Sequence, residues 1–109
     1  MTRLVSGIWH GHYEQHGRLF PQRVSLELAD GIVRGEGTDG LGVFAIEGEY
    51  RSERGEVRMG WIKTYEGAHS VLYVGVLRGD AIEGQWSLAG DMDRGGFALT
   101  APDVRGSSR

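Results

Sequence analysis

Glycine is the residue type that most restricts what this chain can fold into. Nineteen of its 109 residues are glycine, roughly 17% against a usual share near 7%. Each glycine inside a helix costs about 1 kcal/mol relative to alanine, so a bundle of helices is disfavoured. Only two prolines occur and no three-residue repeat is present, which excludes collagen. The glycines stand among aliphatic and aromatic residues, which is not the composition of a disordered linker.

Apolar and polar residues alternate with a period of two along most of the chain, which is typical of strands with one buried face. In residues 24–28, for example, Val, Leu and Leu alternate with Ser25 and Glu27, and Asp30 with Gly31 then predicts a tight hairpin turn. About eight such segments follow one another through residue 99, with no helical periodicity between them. Residues 51–55 and 90–94 are predicted to be loops.

Eight consecutive antiparallel strands predict an up-and-down meander barrel, because closure removes the exposed edges of the sheet. A sandwich of two sheets is the alternative. Such a barrel has room inside for side chains or for one small ligand, and glycines within strands, such as Gly35, Gly60 and Gly84, permit the bends that it requires. The sequence therefore predicts one all-β domain over residues 1–101 and a flexible polar tail over residues 102–109.

Charge and missing residue types narrow the classes of partner. The net charge is −3 and the basic residues are scattered among acids, so no basic stripe is available for nucleic acid. No apolar run is long enough for a bilayer span or a secretory signal, so we expect no membrane partner and a bacterial cytoplasmic location. The absence of cysteine excludes disulfides and thiol chemistry. No cofactor is expected.

Short motifs in a common order resemble the avidin and streptavidin family of eight-stranded barrels. Gly7 and Trp9 are similar to the family's opening Gly-x-Trp, and Gln85, Trp86 and Leu88 are similar to its Gln-Trp-x-Leu. The best stretch has the spacing of the family's Trp, Tyr and Ala-His-Ser, in the residues Trp61, Tyr65, Ala68, His69 and Ser70. The resemblance covers most of residues 7–99 and implies a ligand pocket at one mouth of the barrel.

The resemblance also implies positions for the pocket. Trp61 and Trp86 match wall tryptophans, Ser70 matches a pocket serine, and Leu72 falls near a pocket threonine, while the aromatic Phe44 and the charged Lys63 are further candidates for ligand contact. The candidate ligand-binding residues are Trp61, Ser70, Leu72, Trp86, Phe44 and Lys63.

The polar clamp that holds the ureido group of biotin in that family has no counterpart here. Gly11, Gln15 and Gly37 stand where the family has an asparagine, a serine and a tyrosine, and Asp103 is the only candidate for the closing aspartate. A buried oxygen that loses its hydrogen-bond partners costs affinity steeply. We therefore expect that the ligand is not biotin.

Lys63, the only lysine, is predicted on the same strand face as Trp61 and Tyr65. If this face is buried, the ammonium group needs a carboxylate partner such as Glu47 or Glu49, or an anionic ligand. If it is exposed, the lysine carries no functional information.

Histidines offer a possible metal site. His10 and His12, with His16 nearby, have the i, i+2 spacing with which two strand residues can ligate one zinc ion. Because Trp9 and Tyr13 occupy the opposite face, we expect the histidines to face solvent, and no metal is predicted. His69 and Ser70 do not form a catalytic pair, because adjacent strand residues point to opposite faces, and His69 is expected to be structural.

Three classes of function remain open. The leading hypothesis is a non-enzymatic, soluble barrel that binds a small, partly apolar molecule at one mouth. The alternative is a homo-oligomeric interaction module, a dimer or tetramer with a filled core, because residues 70–77 are apolar on both strand faces. The second alternative is a small barrel enzyme that uses His, Glu or Asp in the mouth.

Overall fold

The computed structural model describes residues 4–67, 69–88 and 93–102, which contain strands and no helix. Each strand pairs antiparallel with the next one, and β8 also pairs with β1, so the sheet closes into a barrel. This confirms the predicted meander barrel over the two-sheet sandwich. The strands are β1 Gly7–Gln15, β2 Arg18–Ala29, β3 Ile32–Asp39, β4 Gly42–Glu53, β5 Glu56–Tyr65, β6 Ser70–Arg78, β7 Ala81–Leu88 and β8 Arg94–Thr100.

Two-residue turns with positive φ join several strands. Asp30 and Gly31 have φ values of 54° and 78°, which confirms the predicted hairpin and matches the twist of the flanking strands. The predicted loop over residues 51–55 is wrong: β4 continues to Glu53 and only Arg54 and Gly55 form the turn. In the predicted loop over residues 90–94, β8 already begins at Arg94, and residues 90–92 lie outside the described part of the chain. Residues 103–109 of the predicted tail, together with Asp103 and Ala68 of the resemblance, lie outside it too.

Glycines that point into the barrel stand where neighbouring strands approach closely. A Cβ atom on Gly11 would lie 1.8 Å from the carbonyl oxygen of Ala98, and one on Gly48 would lie 2.0 Å from that of Gly60. No side chain fits at such distances. Gly60 is different, because it points outward and its Cβ atom would meet nothing closer than 3.5 Å.

The core is a single apolar cluster inside the barrel. Alternation directs inward-facing apolar residues of every strand into it, including Trp9, Phe44, Trp61, Tyr73 and Trp86. The polar side chains of Gln22, Lys63 and Asp39 are buried among them. No helix in the described part of the chain is long and apolar enough to cross a membrane.

Candidate functional site

A buried lysine lies at the centre of the polar cluster inside the barrel. Lys63 points inward from β5, and its side chain is 1% exposed. The three N–H bonds of its Nζ have three acceptors: the Oδ2 atom of Asp39 at 2.8 Å, the hydroxyl of Tyr73 at 3.0 Å and the Oε1 atom of Gln22 at 3.2 Å. An ammonium group has three donors, so Lys63 is fully bonded by the protein itself.

Asp39 supplies the counter-charge from the last position of β3. Its Oδ1 atom accepts a hydrogen bond from the backbone N–H of Leu41 at 2.8 Å, which orders the β3–β4 turn. Its Oδ2 atom accepts from Lys63 and, at 2.5 Å, from the hydroxyl of Tyr65. The carboxylate side chain is 0% exposed. One residue therefore holds both the turn and the buried charge.

Aromatic rings surround the ammonium group. The Nζ atom of Lys63 lies 4.3 Å from the ring centroid of Phe44 and between 5.0 and 5.1 Å from those of Tyr13, Tyr65 and Tyr73. A cation at such distances from desolvated ring faces gains roughly 2 kcal/mol. The interior thus forms an aromatic cage for a cation, and the chain's own lysine occupies it.

Burial sets the ionisation of the cluster. It lowers the pKa of Lys63, while the hydrogen bond and the negative charge of Asp39 oppose that shift. Burial raises the pKa of Tyr65 and of Tyr73 above the ordinary tyrosine value, and the charge on Asp39 raises both further. The pKa of Tyr13 is raised by burial first and by Asp39 second. The tyrosines are consequently kept as neutral hydroxyl groups far into the alkaline range.

A small cavity opens at one mouth of the barrel, beside this cluster. Its volume is about 40 Å³, enough for ordered water or for a small chemical group. The ends of β1, β5 and β7, the start of β6 and the β3–β4 turn form its wall. The lining residues are Tyr13, Gln15, Leu41, Tyr65, His69, Val71, Tyr73, Trp86 and Leu88.

The structure divides the predicted ligand residues into an inner and an outer group. Trp61, Trp86, Phe44 and Lys63 are buried in the barrel, and of these Trp86 lines the mouth cavity. Trp86 is held by a hydrogen bond of 2.9 Å from its Nε1 atom to the carbonyl oxygen of Glu14. Trp61 instead stacks on Tyr73 at a centroid distance of 5.6 Å, deeper in the core.

Ser70 and Leu72 belong to the outer group and are exposed. In β6 the interior positions are Val71 and Tyr73. Since side chains alternate strictly along a strand, Ser70 and Leu72 face away from the pocket that the resemblance implies for them. The Ser70 hydroxyl lies 3.1 Å from that of Thr64 on the same outer face.

The histidines lie outside the barrel or at its rim. His10 is exposed on the outer face of β1, opposite the buried Trp9. His16, which follows β1, lies 3.7 Å from Asp93, which precedes the neighbouring strand β8. His69 lines the mouth cavity, and its backbone oxygen accepts a hydrogen bond from Tyr65. No group of three His, Cys, Asp or Glu side chains in the described residues has the arrangement of a metal site.

Two buried donors have no hydrogen-bond partner among the described residues. They are the Nε2 atom of Gln22 and the Nε1 atom of Trp61. Most buried polar groups in proteins are paired. Both orphaned atoms are donors.

The sequence placed Lys63 on one strand face with Trp61 and Tyr65 but left open whether that face is buried, and the partners that it indicated for a buried lysine are wrong. Glu47 and Glu49, the predicted partners, are exposed on the outer face of β4. The true partner is Asp39. Because glycine follows it, the sequence predicts a turn there, and Asp39 does stabilise the β3–β4 turn in addition to pairing with Lys63. A useful signal was available: Asp39 is separated by even intervals from the inward-facing Val33 of the same strand, and alternation therefore directs it inward.

Comparisons with known proteins find no match for this chain. No family model, no curated protein and no solved structure matches it. Its function is therefore inferred from its own geometry.

Proposed function

We propose that the protein is a non-enzymatic barrel that binds a small, partly apolar molecule, other than biotin, at the mouth next to the Lys63–Asp39 cluster. One observation carries this proposal: a concave, mostly apolar cavity with a few polar groups opens where the buried ion pair approaches the surface. Barrel mouths of this character are preferred ligand sites.

The cavity volume limits the ligand. Drug-sized ligands occupy pockets of roughly 300–1,000 Å³, and the mouth has about 40 Å³. A ligand of this site is therefore very small, or inserts only one end between the rings of Tyr13 and Trp86.

The lining specifies the chemistry of the inserted group. Leu41, Val71 and Leu88 offer apolar contacts, while the Tyr13 hydroxyl makes no hydrogen bond within the described residues and is available to the ligand. A group with one hydrogen-bond acceptor on a short apolar stem fits both. The buried charges beside the cavity, Asp39 and Lys63, are fully bonded to protein atoms, which favours binding over acid–base catalysis by this pair.

We infer that the likeness to avidin is one of barrel architecture and wall aromatics. Trp86 lines the mouth as the resemblance implies. The clamp position Gly11 lies against the backbone of β8, where no side chain fits, and the amide of Gln15 donates to Asp93 at 3.1 Å. These contacts support a ligand other than biotin.

The test is a screen of fragments with about ten or fewer non-hydrogen atoms, small ketones, amides and alcohols, against the purified protein. A ligand at 100 times its Kd should raise the free energy of unfolding by about 2.7 kcal/mol, and it should shift the NMR signal of the Trp86 indole N–H. Val71→Leu adds a methylene group to the wall and should abolish binding. Val57→Leu, buried in the same barrel but not in the mouth lining, is the matched control. Absence of any hit, or a hit that binds Val71→Leu as well as the parent, would refute the proposal.

A further inference from the structure

An apolar surface lies on the outside of the barrel, away from the mouth. Three outward side chains of β5 and β6 are strongly exposed: Val74 at 54%, Ile62 at 43% and Leu72 at 41%. Together with Gly60 and Val76 they form what we call the β5–β6 outer face. A groove of about 980 Å³ runs over it. Contiguous apolar patches on the surface of a protein mark sites of interaction.

Strand pairing places the residues of this face in rows that run across β5 and β6. Ile62 is opposite Leu72, Gly60 is opposite Val74, and Arg58 is opposite Val76. Val74, the most exposed side chain of this face, therefore stands directly beside a position with no side chain at all. The face carries a projection at Val74 on β6 and a notch at Gly60 on the adjacent β5.

We propose that the β5–β6 outer face binds a second copy of this chain, with a two-fold axis that runs parallel to the strands between β5 and β6. This axis exchanges the two strands across the contact. Val74 of each copy then enters the notch at Gly60 of the other, and Ile62 meets Leu72. A two-fold contact requires such a self-complementary surface, in which each residue pair occurs twice.

The charged residues on β4 and β7, which flank the β5–β6 outer face, support the same axis. The row through Val76 reads Arg51, Arg58, Val76 and Glu83 across β4 to β7. The proposed axis places Arg51 of one copy opposite Glu83 of the other. Arg51 has no salt bridge within the described residues and faces Arg58 across the strands, which is unfavourable in a single molecule. A second copy supplies the missing opposite charge.

An axis perpendicular to the strands fits poorly. It would place Val74 against Val74 and Gly60 against Gly60, so that neither projection enters a notch. Of the two axes, the one parallel to the strands is the one that places each projection in a notch, and it pairs Arg51 with Glu83 at the margins. The curvature of the barrel separates β4 and β7 from the partner, and the long side chains of Arg51 and Glu83 are suited to span that gap.

Sedimentation of the full chain tests the face. At about 100 µM, well above a micromolar Kd, the protein should sediment at twice its monomer mass of 12.0 kDa. Leu72→Arg should give monomer. Leu19→Arg is the matched control, because Leu19 is 64% exposed on β2, and it should stay dimeric. A monomeric parent, or equal dissociation by both variants, would overturn the proposal.

A charge exchange tests the axis. Arg51→Glu alone should weaken dimerisation at least about tenfold, as should Glu83→Arg alone, because each creates two like-charge contacts per dimer. The double variant should return to within about threefold of the parent Kd. Arg51 and Glu83 lie three strands apart, roughly 14 Å, in one molecule, so rescue cannot come from a contact within the chain. Arg23→Glu on β2 is the control for net charge. If both single variants dimerise weakly and the double variant does not recover the parent affinity, this axis is refuted.

This inference is independent of ligand binding at the mouth. The variants of the outer face do not touch the residues that line the cavity, and Val71→Leu does not touch the outer face. A protein that dimerises without binding fragments, or the reverse, would therefore separate the two proposals.

Discussion

Removal of the counter-charge of Lys63 is the change that should disturb this barrel most informatively. Asp39→Asn keeps the size of the side chain and an oxygen that can accept from the N–H of Leu41. It removes the negative charge 2.8 Å from the Lys63 ammonium. Lys63 is 1% exposed and cannot reach water without leaving the cage. The variant therefore buries an uncompensated charge, or forces the lysine to lose its proton.

The expected loss is large. Breaking a buried ion pair on one side costs about 3–5 kcal/mol, against a total stability of about 5–15 kcal/mol for a domain. For a chain of this size that corresponds to a fall in Tm of at least about 12 °C. Lys63→Met should cost less, because the Asp39 carboxylate keeps the N–H of Leu41 and the hydroxyl of Tyr65. The double variant should recover most of the loss.

Urea unfolding at neutral pH, followed by tryptophan fluorescence, measures all four proteins of this double-mutant cycle. We expect a coupling energy of about 2 kcal/mol or more between the two positions. If the free energy of unfolding of Asp39→Asn lies within about 1 kcal/mol of the parent value, the reasoning is refuted, because loss of the counter-charge of a buried ammonium group should cost more than that. Additive effects of the two substitutions would refute it as well.

Two further predictions follow from the same interior. Above pH 10.5 the proton of Lys63 is lost in both the folded and the unfolded state, whereas Tyr65 and Tyr73 keep theirs only in the folded state, where their pKa values are raised above the ordinary 10.0. The free energy of unfolding should therefore fall by about 1.4 kcal/mol per pH unit for each tyrosine. Urea titrations at rising pH measure this fall, and it should be less steep in Tyr73→Phe than in the parent protein. An equally steep fall in both proteins would contradict the assignment. Gly95→Ala should cost more than about 3 kcal/mol, because its Cβ atom would lie 2.0 Å from the carbonyl oxygen of Glu14. Its neighbour Gly96, whose Cβ atom would meet nothing closer than 3.7 Å, should tolerate alanine without loss of Tm, and similar melting of both variants would contradict the packing.

Alternation alone was enough to predict most of the barrel, because it is a local property. It directed Trp61, Lys63 and Tyr65 to one face, as observed. It also placed Ser70 and Leu72 on the face opposite Tyr73, although the resemblance to avidin assigned them to a pocket. Where a family likeness and the side-chain period disagreed, the period was the better guide, because neighbouring strand residues cannot both face inward.

The sequence by itself determined that this chain forms an all-β meander, that its glycines serve turns and strand interiors, and that one lysine shares a face with aromatic residues. Only the tertiary structure decided which carboxylate that lysine meets. Asp39 and Lys63 are 24 residues apart, and their contact depends on the stagger of strands around the closed barrel. The same closure gathered the inward-facing apolar side chains of all eight strands into one core cluster. Residue patterns report the local period, whereas shear and curvature depend on all eight strands at once.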